Sequence, residues 1–348
     1  MQNWNRIALF VAFLALTPGA FALPSNADTV KVFVLAGQSN MEGKAKMSLL
    51  ELQVEDERTK ERFAHLRDGE DWVERDDVLI KFLDRKGKLT VGYGSPNCIG
   101  PELDFGHTVG DHYDEPVLII KTAWGGKSLY RDFRSPSAGF PDDPVLEGML
   151  EQSKKRKPEA TMDDVKQSFG HFYRLMIEDV RETMKNAERH FPELAKKRLE
   201  LAGFVWFQGW NDMISEQYTA EYKTNMVHFI RDVRRDLEAP KLPFVIGQFG
   251  VGGTSASHPK HLAFKKAQAD AAEEKDFRRN VAVVQTDQYW DEVAQEVFDR
   301  GWKENLEEWT KVGSDRPYHY LGSALTYSDI GAAFGRAIIE LRGDKKKR

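Results

Sequence analysis

The sequence predicts an α/β fold, a doubly wound, mainly parallel sheet with helices on both faces, and three observations predict it. Short apolar, β-branched runs alternate with longer amphipathic stretches along the whole chain, which is the pattern of strand–helix–strand units. Those runs are continuously apolar, as in strands covered on both faces, and do not alternate as half-exposed strands do. Three of them end in glycine-containing punctuation: Gly37-Gln38-Ser39, Gly125-Gly126 and Gly209-Trp210-Asn211-Asp212. In a doubly wound sheet the carboxyl ends of the strands share one edge, and ligands bind there.

Taken in order, the chain opens with what reads as a secretory signal peptide over residues 1–22. Arg6 precedes the apolar run 7–16, and Ala20-Phe21-Ala22 sets small residues before a cleavage site after Ala22. A secreted or periplasmic protein is predicted. A retained anchor is the alternative, but the run is short for a stable membrane span, and no later stretch is long and apolar enough.

Residues 23–348 read as a single domain. Its first strand is the run 32–36, closed at Gly37, with Ser39 just beyond. Residues 44–96 read as an insertion: an exposed charged helix over 48–66, a turn at Asp68-Gly69-Glu70-Asp71, and a hairpin of 78–83 and 89–92 around the loop 84–88. Gly100-Pro101-Glu102 opens a helix through about Tyr113, with proline early and an acid near the positive end. The run 116–121 is the next strand. Residues 131–160, rich in Pro, Ser, Asp and Lys, read as a second insertion that runs over the surface. Phe169, Phe172, Met176, Val180 and Met184 then mark a helix by their spacing, and 201–207 a strand. Tyr218, Tyr222, Met226, Phe229, Ile230 and Val233 mark the clearest amphipathic helix, which stops before Pro240. Strands at 243–247 and 281–286 flank a helix at 258–275, and Ile330, Phe334, Ala337, Ile338 and Leu341 lie on the last helix. No heptads, repeats or low-complexity linkers interrupt this order.

Composition narrows the function. With 41% hydrophobic and 30% charged residues among 348, the chain can bury a sizeable core. A net charge of −5 gives no electrostatic reason to expect nucleic acid. The lone cysteine, Cys98, cannot form an internal disulfide; it has no metal-ligand spacing around it and reads as a buried structural thiol.

The chemistry gathers at the strand ends. Ser39, after a strand and a tight turn, is either a nucleophile or, with Asn40, a cap on the next helix. Nucleophilic chemistry at an ester needs donors aimed at the developing oxyanion, and the backbone N–H groups of Ser39 and Gly126 with the Asn211 amide can supply three. It also needs a base. Of the nine histidines, His319 lies in a loop after the final strand, on the same edge of the sheet. His107 and His112 sit on a charged helix, and His258 and His261 flank the start of another.

These residues carry a resemblance. Gly37-Gln38-Ser39-Asn40-Met41, Gly126 and Gly209-x-Asn211-Asp212 resemble the first three blocks of the SGNH hydrolases. The fuller strings, with Gly100-Pro101-Glu102, Lys121-x-x-x-Gly125-Gly126-x-Ser128-Leu129 and Trp206-Phe207-Gln208-Gly209, are similar to the sialate O-acetylesterase-like branch, related to the carbohydrate esterase family 6 acetylxylan esterases. The resemblance implies a flavodoxin-like SGNH fold and a serine esterase that removes O-acetyl groups from carbohydrate without metal or organic cofactor. It makes Ser39 the nucleophile, His319 the general base, and Ser39, Gly126 and Asn211 the oxyanion hole. Gln38, Glu102 and Arg134 are candidates for substrate contact or for fixing the nucleophile loop. Two departures stand out. Trp210 occupies a position where the branch often has an acid, and it offers a sugar-stacking face or a reshaped pocket. Arg316 stands where SGNH enzymes place the aspartate three residues before the histidine. Either Asp315 reaches His319 through a different loop conformation, or a backbone carbonyl orients the imidazole in a Ser–His dyad. The rival from another class, a non-catalytic carbohydrate-binding protein on an esterase scaffold, draws on that same Arg316.

Overall fold

The computed structural model describes residues 29–344. The signal peptide expected over 1–22 and the basic end 345–348 lie outside the described residues.

Seven strands form the main sheet of the described residues: β1 Thr29–Gly37, β2 Arg75–Phe82, β3 Arg85–Leu89, β4 Val117–Ala123, β5 Arg198–Phe207, β6 Phe244–Gln248 and β7 Val281–Gln285. Their order is β7-β6-β5-β1-β4-β2-β3, and every pairing is parallel except β2 with β3. The helices used below are α1 Ser39–Glu42, α2 Glu102–Gly110, α3 His171–Lys185, α4 Trp210–Met213, α5 Glu216–Asp236, α6 Pro259–Ala272 and α7 Ala324–Arg342. One face of the sheet is covered by α2 and α7 packed together, the other by α3, α5 and α6. The doubly wound, mainly parallel α/β arrangement is the predicted one.

Sequence explains the centre of the sheet directly. Every residue of β1 is buried, because β4 and β5 flank it and helices cover both faces. Phe33, Phe204 and Trp206 lie fully buried in the core, each contributing about 1.5–3 kcal/mol by leaving water. The Trp206 indole N–H donates to Tyr222 Oη at 3.2 Å, so the ring is a satisfied core residue. Cys98 is buried and free, with its thiol pKa pushed up by burial.

Three stretches differ from expectation. Residues 48–66 do not form one exposed helix: a helix Met47–Gln53, a single turn Lys60–Phe63 and a 3-10 turn Ala64–Leu66 replace it. Leu49, Leu50, Phe63 and Leu66 are buried with Ile99, Leu103 and Tyr327, so a second small core overrides the charged periodicity. The hairpin turns earlier than its glycine suggests. Leu83 takes a positive φ of 53°, and Arg85–Leu89 runs back as the edge strand β3. Its arginine and lysines suit an edge that must not pair with another chain. β2, from the stretch read as an insertion, pairs parallel with β4 inside the main sheet. Within 131–160, Phe133, Arg134 and Ser135 are buried, and a helix Asp143–Lys154 follows, so only part of that stretch runs over the surface.

Register brings the functional ends together. Gly37 pairs with Ala123 of β4 on one side and with Phe207 of β5 on the other. The residues that follow these three therefore leave the sheet at one level, around Ser39, Gly126 and Asn211.

Candidate active site

At the end of β1 the backbone turns sharply into α1. A Cβ on Gly37 would sit 2.1 Å from the Phe207 carbonyl oxygen, so only glycine fits this close strand crossing. Gln38 occupies the N-cap position of α1, and no side chain caps that helix. Ser39 is its first residue, 7% exposed, with its hydroxyl free to make other contacts. The capping reading of Ser39 and Asn40 is therefore set aside.

The Ser39 hydroxyl lies 3.0 Å from His319 Nε2, and His319 Nδ1 lies 3.0 Å from Asp315 Oδ2. An ionised carboxylate only accepts hydrogen bonds, so Nδ1 carries the imidazole proton and Nε2 is left as acceptor from Ser39. Burial raises the Asp315 pKa, but hydrogen bonds from His319 and the Arg316 amide, with the charge of Lys44, hold it below the ordinary aspartate value. Of the two ways to orient His319, the side chain of Asp315 is the one in contact.

A closed loop makes the four-residue spacing work. Residues Pro317–Gly322 form a kinked 3-10 turn in which Tyr320 (φ 51°) and Leu321 (φ 59°) are left-handed. The amides of Ser314 and Asp315 both donate to the Leu321 carbonyl, and the His319 and Leu321 amides donate to the Arg316 carbonyl. This folds Asp315 back under the imidazole, while Arg316 points away over the Trp302 ring. Left-handed backbone at two non-glycine residues costs of order 1–3 kcal/mol each and persists where surroundings over-determine it. Here Tyr320 Oη lies 2.6 Å from Thr286 Oγ1 and accepts from the Gly250 amide, and Asn40 Nδ2 donates to the Tyr318 carbonyl. With Asp315 in contact, Arg316 no longer favours a non-catalytic scaffold.

The donors face Ser39 from the neighbouring strand ends. Gly126 has a φ of +70°, which a glycine adopts without strain. The amides of Ser39 and Gly126 donate to none of the described residues. Asn211, in α4, is held from two sides: Nδ2 donates to the Gly126 carbonyl at 3.0 Å, and Oδ1 accepts from Gln38 Nε2 at 3.3 Å. Its second N–H remains for a ligand.

Gln38 and Glu102 fix loops and do not face a ligand. Gln38 is 1% exposed; its Oε1 accepts from Gln208 Nε2 and from the Gly209 and Asn211 amides. Glu102, also 1% exposed, pairs with Lys121 Nζ at 2.6 Å and accepts from the Gly100 amide. Burial pushes the Lys121 ammonium below the ordinary lysine value, while Glu102 and the carbonyls of Glu42 and Tyr93 hold it in place. Lys121→Met is expected to cost about 3–5 kcal/mol, because it strands the Glu102 charge in the core; the fall in the denaturant midpoint measures it. Arg134 is likewise corrected as a substrate contact. It is buried, donating to the Gly139 and Tyr130 carbonyls and pairing with Glu221.

Glu42 and Tyr318, which pattern alone does not single out, stand around the site with Asp212 and Trp210. Glu42 Oε1 accepts from the Gly125 amide at 2.7 Å, tying α1 to the glycine loop. Burial raises its pKa, but Lys44, the Gly125 amide and Ser95 bring it below the ordinary value. Asp212, fully buried, stands beside Asn211 in the same short motif; burial lifts its pKa to about 7 against the hydrogen bonds it accepts. Tyr318, next to His319, has its ring 5.3 Å from that of Trp210, next to Asn211. Trp210 also stacks toward Phe249 at 6.2 Å. Two aromatic rings thus stand beside His319 and Asn211. Among the described residues, no group of three or more His, Cys, Asp or Glu side chains is placed to hold a metal ion.

Residues 29–294 match the family model described as carbohydrate esterase, sialic acid-specific acetylesterase. A solved structure of a protein from Arabidopsis thaliana is 15% identical with a TM-score of 0.52, over 90% of this chain and 98% of that one. A carbohydrate acetylesterase from Xanthomonas citri is 13% identical with a TM-score of 0.50, over 90% of this chain and 57% of that one. At these identities the two structures show a shared fold. None of the curated proteins matches the chain.

Proposed function

The chain belongs to the carbohydrate esterases of the sialic acid-specific acetylesterase family, and from that premise we propose that it removes O-acetyl groups from carbohydrate by a serine mechanism. The observation that carries the mechanism is the continuous line from Asp315 Oδ2 through the His319 ring to Ser39 Oγ, with both contacts at 3.0 Å. Ser39 Oγ attacks the acetyl carbonyl carbon as His319 Nε2 takes its proton. The carbonyl oxygen becomes an oxyanion held by the Ser39 and Gly126 amides and by Asn211 Nδ2. Collapse expels the sugar oxygen, which takes the proton from His319, and leaves acetyl-Ser39. Water, deprotonated by His319, then releases acetate and restores the serine.

The experiment is acetate release from O-acetylated sialic acid and from acetylated xylan, with labelling of Ser39 by a fluorophosphonate. Release in the wild type and none in Ser39→Ala is the expected result; equal release by both overturns the assignment.

For substrate, Trp210 and Tyr318 supply the stacking faces that a pyranose ring uses, through its apolar C–H edges. Trp210→Ala and Tyr318→Ala are expected to raise KM for an acetylated sugar by about 5- to 30-fold, the effect of losing roughly 1–2 kcal/mol of contact. They leave kcat for 4-nitrophenyl acetate, which has no sugar ring, within about threefold. Secretion to the periplasm or medium is supported by Arg6, the apolar run 7–16 and Ala20-Phe21-Ala22. No helix of the described residues is long and apolar enough to cross a membrane.

A further inference from the structure

The loops that build the site are joined from beneath by one carboxylate. Asp212 Oδ2 accepts from the Leu129 amide at 2.8 Å and from Gln208 Nε2 at 2.6 Å, and Oδ1 accepts from the Tyr130 amide at 2.9 Å. The side chain is fully buried, and no lysine, arginine or histidine pairs with it among the described residues. A dry carboxylate without a counter-charge is costly, and only its hydrogen bonds offset that cost. What those bonds join is informative. Leu129 and Tyr130 continue the loop that carries Gly126; Asp212 itself follows Asn211 in α4. The two N–H groups of Gln208 Nε2 are shared with the Lys127 carbonyl at 3.0 Å and Gln38 Oε1 at 3.1 Å, and Gln38 immediately precedes Ser39.

We propose that Asp212 is a positioning residue for the oxyanion hole: it sets the Gly126 loop against Asn211 and, through Gln208 and Gln38, against Ser39. The proposal rests on the serine-esterase reading of this site. The distance between the Gly126 amide and Asn211 Nδ2 depends on a loop that the protein anchors by two backbone N–H groups on Asp212. Asparagine at 212 turns one acceptor into a donor facing an amide or Gln208, so that loop must shift. Donors aimed at a developing charge lose their effect over small displacements, and the ground-state ester is bound as before.

A double-mutant cycle tests this. Asp212→Asn is expected to lower kcat for 4-nitrophenyl acetate by about 30- to 100-fold with KM within about threefold, and Asn211→Ala to lower it by about 10²–10³-fold. The combined variant is expected to be no more than about threefold slower than Asn211→Ala, since both changes disable one device. Losses that multiply, or an Asp212→Asn enzyme within about threefold of wild type, overturn the proposal. If Asp212→Asn fails to fold, Gln208→Leu replaces it in the cycle. That variant keeps both amide bonds to Asp212 and cuts the link to Gln38, and the same non-additivity is expected; multiplied losses overturn the proposal in that form too. Wild-type enzyme that neither reacts with a fluorophosphonate nor releases acetate overturns the esterase reading and this proposal with it. Reactive wild type with multiplied losses overturns the role of Asp212 alone.

Discussion

Ser39→Ala and His319→Ala are each expected to lower turnover of acetyl esters by a factor on the order of 10⁵, with the double variant no slower than either. The reason is the single hydrogen bond between them: without the imidazole the hydroxyl keeps its proton, and without the hydroxyl the imidazole has nothing to activate. The activity that remains is what the oxyanion donors achieve with water alone. Steady-state rates on 4-nitrophenyl acetate, with melting temperature as a control for folding, measure both. Either variant working within about tenfold of wild type would remove that residue from the mechanism.

The second large effect concerns the acid. Asp315→Asn is expected to lower kcat on the order of 10³–10⁴-fold, with KM nearly unchanged. The asparagine amide favours the imidazole tautomer with its proton on Nε2, which faces Ser39 and cannot accept from it. Because its charged contacts hold the Asp315 pKa down, Asp315 stays ionised through mildly acidic conditions. Lost activity there is not protonation of this acid. In a Ser–His dyad held by a backbone carbonyl, Asp315→Asn would stay within about tenfold of wild type, and that rate distinguishes the two arrangements.

The strands and the three glycine-marked turns were legible in the sequence because each is a local signal: an apolar run, then glycine, then polar residues. His319 was legible from its place in the chain order. Asp315 was legible only as one of two ways to orient His319, since the choice depends on left-handed backbone at Tyr320 and Leu321, which no propensity favours and which contacts from Thr286, Gly250 and Asn40 impose. Glu102 and Arg134 could be read either as substrate contacts or as structural groups; both are buried against partners, Lys121 and Glu221, that only the folded chain brings to them. Asp212 was visible as a letter beside Asn211, but its burial and its three donors exist only once β4 and β5 lie on either side of β1. The broken helix over 48–66 has the same origin: its apolar residues face a second core that forms only in the folded chain.

The proposed machinery belongs to two mechanical units. Ser39, Gly126 and Asn211 follow the ends of three neighbouring strands that finish at one level of a single sheet, so their loops start from fixed points. His319 and Asp315 travel together on a separate closed loop held to the rest of the fold through the Tyr320 hydroxyl, Asn40, Ser314 and Tyr327. Loosening that grip would withdraw base and acid as a pair and leave the anion-binding half of the site intact. A protein in that condition would still be folded and still have its oxyanion donors, but it would be silent as a hydrolase.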